Sequence, residues 1–138
     1  MRALHIAALL VIVLVAASAY AHHSAAGIDQ TKTIVTEGTV KQFKWANPHS
    51  WIELEVPNSK GGADLWNFEM TSPAFLVRAG WKSTSVKPGD KVKVTGRPFK
   101  SGEPGGLFVS VTLPDGRTLS QQAPRGAAPP AYDAEKKK

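Results

Sequence analysis

Apolar and polar positions alternate along most of the middle of the chain. Thr33–Trp45 is a long run of strand-forming residues with Gly38 in its middle, where a bend or bulge costs little. His49–Val56 puts Ile52, Leu54 and Val56 on one face and Trp51, Glu53 and Glu55 on the other. After the turn cluster Pro57–Gly62, Ala63–Met70 repeats the pattern, with Trp66, Phe68 and Met70 on one side and Leu65, Asn67 and Glu69 opposite. Ser72-Pro73 then opens a short helix, Ser as N-cap and Pro in the first turn, which ends at Gly80. Lys87-Pro88-Gly89-Asp90 turns the chain into Lys91–Gly96, where Val92 and Val94 alternate with lysines. A flexible Gly/Pro-rich loop, Pro98–Gly106, holds Gly102, Gly105 and Gly106 and precedes a last strand, Leu107–Leu113. Asp115-Gly116 makes a hairpin-like turn after it.

Three strands, a short helix and two strands make a mostly β domain. A sheet this small must hide its edges. The expected architecture is a small five-stranded OB-like barrel with one short helix between strands three and four. The alternative is a small open sandwich with a covering helix. Tryptophan placement fits a core: Trp66 shares a face with Phe68 and Met70, and Trp81, after Gly80, is expected to plug the barrel beneath the helix. Trp51 alone points outward, and with Asn47 it marks a candidate ligand face.

The flanks differ from this middle. Residues 1–21 read as a signal peptide: Arg2 is the only charge, Ile6–Ala17 is the apolar segment and Ala19-Tyr20-Ala21 is a small-x-small cleavage site. An uncleaved anchor is the competing reading, but the apolar run falls short of the about 20 residues that span a bilayer. Residues 22–120 form the barrel domain. Residues 121–138, with Pro124, Pro129, Pro130 and a closing Lys136–Lys138, read as a flexible Pro/Ala/Lys tail. These boundaries place the mature protein in the periplasm or outside the cell, with no stable membrane insertion after cleavage.

The chain has 138 residues, a formal net charge of +6 and no cysteine. Lack of cysteine excludes disulfides, thiolate metal sites and cysteine nucleophiles. The domain itself carries twelve Lys and Arg against nine Asp and Glu. Much of the basic excess therefore lies in the flanks, and nucleic acid is not an expected partner. No nucleophile elbow, phosphate loop, dinucleotide fingerprint or metalloprotease pattern is present. Glu53, Glu55 and Glu69 share an outer face without an evident cleft, so a non-catalytic protein is expected.

Several segments together resemble one family: Ala21-His22-His23-Ser24, Gly38-x-Val40, Trp45-Ala46-Asn47-Pro48-His49-Ser50, Trp66-x-x-Glu69, Ser72-Pro73, Gly80-Trp81 and Lys87-Pro88-Gly89-Asp90. It is the DUF6152-type family of exported bacterial proteins of unknown function, and the resemblance covers roughly Ala21–Leu119. It implies export and a small β domain, and no activity.

Candidate chemistry rests on the histidines outside the signal: His22, His23 and His49. Cleavage after Ala21 gives His22 a free α-amine, which can chelate one metal ion together with its own imidazole. The second bond is then effectively intramolecular. This arrangement is similar to the N-terminal histidine grip of several exported copper proteins. Nitrogen ligands favour divalent copper, with nickel and zinc behind. His23 is adjacent but points elsewhere unless the chain curls. His49 sits on the loop between strands one and two, which on an OB-fold borders the face of strands two and three. Pairing across the strand two–three hairpin puts Trp51 near Glu69 and Glu69 diagonal to His49, about 7–8 Å between backbones. Glu69 is then in reach either as a ligand or as a hydrogen-bond partner of the imidazole. The candidate metal set is therefore His22, His23, His49 and Glu69, holding one divalent ion. The plain alternative is a frayed, solvated N-terminus and a histidine that satisfies loop carbonyls. A different class of function is a non-catalytic OB-type module that binds an unidentified periplasmic partner, peptide, glycan or small ligand on the strand two–three face.

Overall fold

The computed structural model describes residues 26–122. Among the described residues six strands and one helix follow one another: β1 Ile34–Lys44, β2 Trp51–Pro57, β3 Ala63–Glu69, α1 Pro73–Arg78, β4 Lys91–Pro98, β5 Gly105–Thr112 and β6 Thr118–Ser120. Antiparallel pairing runs β3-β2-β1-β4-β5-β6, and a parallel pairing of β3 with β5 closes the first five strands into a barrel. The architecture is thus the mostly β, five-stranded OB-like barrel with its short helix between the third and fourth strands.

The alternation read from the sequence becomes the inside and outside of this barrel. Ile52, Leu54, Phe68, Val92 and Val94 point in, and join Val40, Met70, Leu76, Val86, Phe108, Val111 and Leu113 in one buried cluster. Trp81 fills the space beneath α1: it is buried, lies edge-on to Phe108 with ring centroids 5.6 Å apart, and donates Nε1–H to the Ser120 carbonyl at 2.8 Å. Trp66 is only half-buried and stacks against Phe68 at 6.3 Å.

Pro73 takes the first helical position, where a missing N–H costs nothing. The Ser72 side chain makes no capping bond; its carbonyl instead accepts from Phe75 and Leu76 N–H. Gly80, at φ 89°, carries the chain out of the helix. α1 buries Leu76 and leaves Phe75 and Val77 exposed.

Four local expectations are corrected. The irregularity in β1 falls between Val40 and Gln42, where Lys41 is the extra residue, and not at Gly38. Gly38 instead permits close packing, because a Cβ there would lie 2.8 Å from the Glu55 carbonyl oxygen. Gly105 and Gly106 are not loop residues: both are buried at the start of β5, against β3 and β4 respectively. A Cβ on Gly105, at φ 127°, would lie 2.0 Å from the Asn67 oxygen, and one on Gly106 would lie 1.9 Å from the Arg97 oxygen. β6 is an additional strand, paired to Ser110–Thr112 after the Asp115-Gly116 turn.

Gln121, the first residue of the segment read as a tail, is anchored: its Oε1 accepts from Thr71 N–H at 3.0 Å and its Nε2 donates to the Phe108 carbonyl at 2.6 Å. Residues 123–138 of that segment and the signal at 1–21 lie outside the described residues. Among the described residues no helix is long and apolar enough to cross a membrane.

Ahead of β1, Gly27 and Asp29 bond Lys100 and Pro98 along the extension of β4. The Arg97 guanidinium donates to the Gln30 carbonyl there. The Asp29 carboxylate accepts from the Thr31 hydroxyl at 2.6 Å and lies 3.0 Å from the Lys32 ammonium. These partners, with Thr31 N–H, lower its pKa to about 2.

Candidate functional site

The β1–β2 loop delivers His49 to the rim of the barrel. Its Asn47–Pro48 bond is cis. Two backbone bonds then extend the β2–β3 ladder beyond the strands themselves: Ser50 N–H donates to the Thr71 carbonyl at 3.2 Å, and Met70 N–H donates to the Ser50 carbonyl at 2.8 Å. Trp51 stands opposite Glu69 in the register. His49, two residues earlier on the same outward face, is therefore diagonal to Glu69, and Glu69 Oε1 meets His49 Nδ1 in a short contact. The two side chains sit differently: 42% of the His49 side chain is exposed and 12% of the Glu69 side chain.

This contact fixes how the imidazole presents itself. A carboxylate only accepts hydrogen bonds, so in the neutral ring Nδ1 carries the proton and Nε2 keeps a free lone pair. Glu69 acts on the ring from behind. It holds the orientation and tautomer of His49, the role that carboxylates play beside metal-bound histidines, and leaves Nε2 as the donor atom.

His49 and Glu69 border a recess of about 350 Å³. Met70, Phe75 and Leu107 supply its apolar surface, and Thr71, Gln121 and Gln122 complete it. Leu107 is there because β5 places it beside Glu69 in the parallel pairing. Phe75 comes from the exposed side of α1. Gln121 ties Thr71, in the lining, to the backbone of the buried Phe108 in β5.

Of the residues singled out in the sequence, His49 and Glu69 come together. Trp51 is half-buried beside Glu69 in the ladder and does not line the recess; Asn47 is exposed in the loop and does not line it either. His22 and His23 lie outside the described residues. Among the described residues no group of three or more His, Asp or Glu is gathered as a metal site. The sequence reading missed Phe75, Leu107 and Gln121. Phe75 carried a signal: an apolar residue next to Leu76 on a helix only six residues long cannot also face the core.

A family model described as a family of unknown function, DUF6152, matches residues 9–109. No curated protein and no solved structure matches the chain.

Proposed function

The chain belongs to the DUF6152 family, which carries no assigned activity, and from the rim site we propose that it is an exported barrel protein holding one divalent metal ion, copper ahead of nickel and zinc. The ion is held by His49 Nε2 and by the amine and imidazole of His22 at the processed N-terminus, with His23 as the neighbouring donor. The observation that carries this reading is the Glu69–His49 contact. A histidine backed by a carboxylate at Nδ1, with 42% of its side chain exposed, is prepared to act as a metal ligand through Nε2. Glu69 is accordingly assigned to orient His49 and not to ligate.

An all-nitrogen donor set of amine and imidazoles suits divalent copper best among the first-row ions. The outward face of β2 and β3 carries Glu53, Glu55 and Glu69. Such an acidic strip repels a phosphate backbone, which supports leaving nucleic acid out.

Calorimetry with copper(II), on protein that begins at His22, tests the reading. The expected result is one saturable ion per chain, bound at least about tenfold more weakly by His49→Ala. Absence of saturable heat, or equal binding by His49→Ala, overturns it.

A further inference from the structure

The recess itself has a chemistry that the metal reading leaves unused. Its volume of about 350 Å³ falls at the lower end of the range in which small organic ligands are held, roughly 300–1,000 Å³. Its apolar surface comes from Met70, Phe75 and Leu107. Met70 is fully buried beneath it, whereas Phe75 has 57% of its surface in water. A large aromatic side chain left exposed on the rim of a concave site gains by covering it.

The polar groups select among ligands. The Gln121 amide is held at both ends by the backbone of Thr71 and Phe108, so its orientation is fixed, with one N–H and one oxygen lone pair left over. Glu69 points its carboxylate at His49 and lends the recess negative charge, which disfavours carboxylates and phosphates. On the other side the Arg78 guanidinium lies 5.5 Å from the centroid of the Phe75 ring, which disfavours a cation stacked there. Thr71 and Gln122 complete the polar lining, and His49 supplies through Nε2 a lone pair that takes a hydrogen-bond donor.

We infer that this recess binds a small uncharged aromatic alcohol, its ring covering Phe75 and Leu107 and its hydroxyl donating to His49 Nε2. The site shares His49 with the metal reading and does not rest on it. Copper and the alcohol compete for the same nitrogen.

The test uses the mature chain freed of metal by a chelator, with 1-naphthol, naphthalene and 1-naphthoate as probes followed by probe fluorescence and by amide NMR shifts. The expected result is saturable binding of 1-naphthol, with shifts at Thr71, Phe75 and Leu107. Naphthalene is expected to bind about tenfold more weakly, the loss of one good hydrogen bond, and 1-naphthoate to be rejected. Phe75→Ala, at an exposed position that does not threaten folding, weakens 1-naphthol and naphthalene alike. His49→Ala abolishes the difference between the two. Lack of saturable 1-naphthol binding, equal binding of naphthalene by the unaltered protein, or shifts confined to the Trp51 face overturns the inference. A negative copper titration with positive 1-naphthol binding removes only the metal reading; the reverse removes only this one.

Discussion

Gly105 lies against Asn67 so closely that a single added carbon would fall 2.0 Å from the Asn67 oxygen. This is where β5 meets β3 and the barrel closes. A methyl group at Gly105 must push the two strands apart and also hold φ near 127°, a region that costs L-residues about 1–3 kcal/mol on its own. Gly105→Ala is expected to destabilise the protein by about 3 kcal/mol or more. Urea unfolding followed by intrinsic tryptophan fluorescence measures it, and a loss below about 1 kcal/mol would show that the seam yields easily.

Glu69→Gln keeps the shape of the side chain but removes the charge that holds the Nδ1 proton of His49. Copper affinity is expected to fall about 10- to 100-fold, the usual effect of losing an outer carboxylate. Calorimetry on the altered protein reads it, and an unchanged affinity would mean that Glu69 does not govern the ring.

Gln121→Ala leaves two backbone groups, Thr71 N–H and the Phe108 carbonyl, without their partner. Each such group costs about 1–3 kcal/mol if it stays dry. Thr71 lines the recess, where water can reach it, but Phe108 is fully buried, so a total loss of about 2–3 kcal/mol is expected by denaturant titration.

Ser50 is fully buried and its hydroxyl finds no hydrogen-bond partner among the described residues. Its backbone groups, not its side chain, hold the β2–β3 ladder. Ser50→Ala is therefore expected to be neutral or stabilising, by up to about 1–2 kcal/mol, since it removes an unsatisfied buried polar group. A clear loss in thermal unfolding would reveal that the hydroxyl is used.

The Asp29 pKa is lowered, so its turn contributes stability above the ordinary carboxylate value and loses it as pH falls towards about 2. Carbon-detected NMR titration is expected to find the Asp29 midpoint near 2. Amide protection at Lys100, which bonds Gly27, should persist down to about pH 3 in the unaltered protein and be weaker, without that pH dependence, in Asp29→Ala. A midpoint at the ordinary carboxylate value would show that Thr31 and Lys32 leave the carboxyl untouched.

The parts that were legible obey local rules. Period-two alternation assigned the inward set Ile52, Leu54, Phe68 and Met70 correctly, and the same parity brought His49 and Glu69 to one outward diagonal. The Ser72-Pro73 start and the Gly80 stop are local chemistry too. What escaped depends on distant partners. Gly105 and Gly106 look like loop because glycine packs nothing in an isolated strand; only the approach of β3 and β4 explains them there. β6 spans three residues, too few to show a period. Gln121 resembles the composition that follows it, and its two backbone partners lie 50 and 13 residues away. The recess assembles from β3, α1, β5 and the chain after β6, so no single segment announces it.

The join between β3 and β5 has only three rungs, Asn67 with Gly105, Phe68 with Gly106 and Glu69 with Leu107. The last rung is also two walls of the recess. An occupant there sits astride the seam like a clasp, so filling the site and keeping the staves shut become one equilibrium. A ligand that binds only the closed barrel then raises the melting temperature, and goes on raising it with the logarithm of its concentration past saturation, which lets a thermal shift screen find it before its chemistry is known.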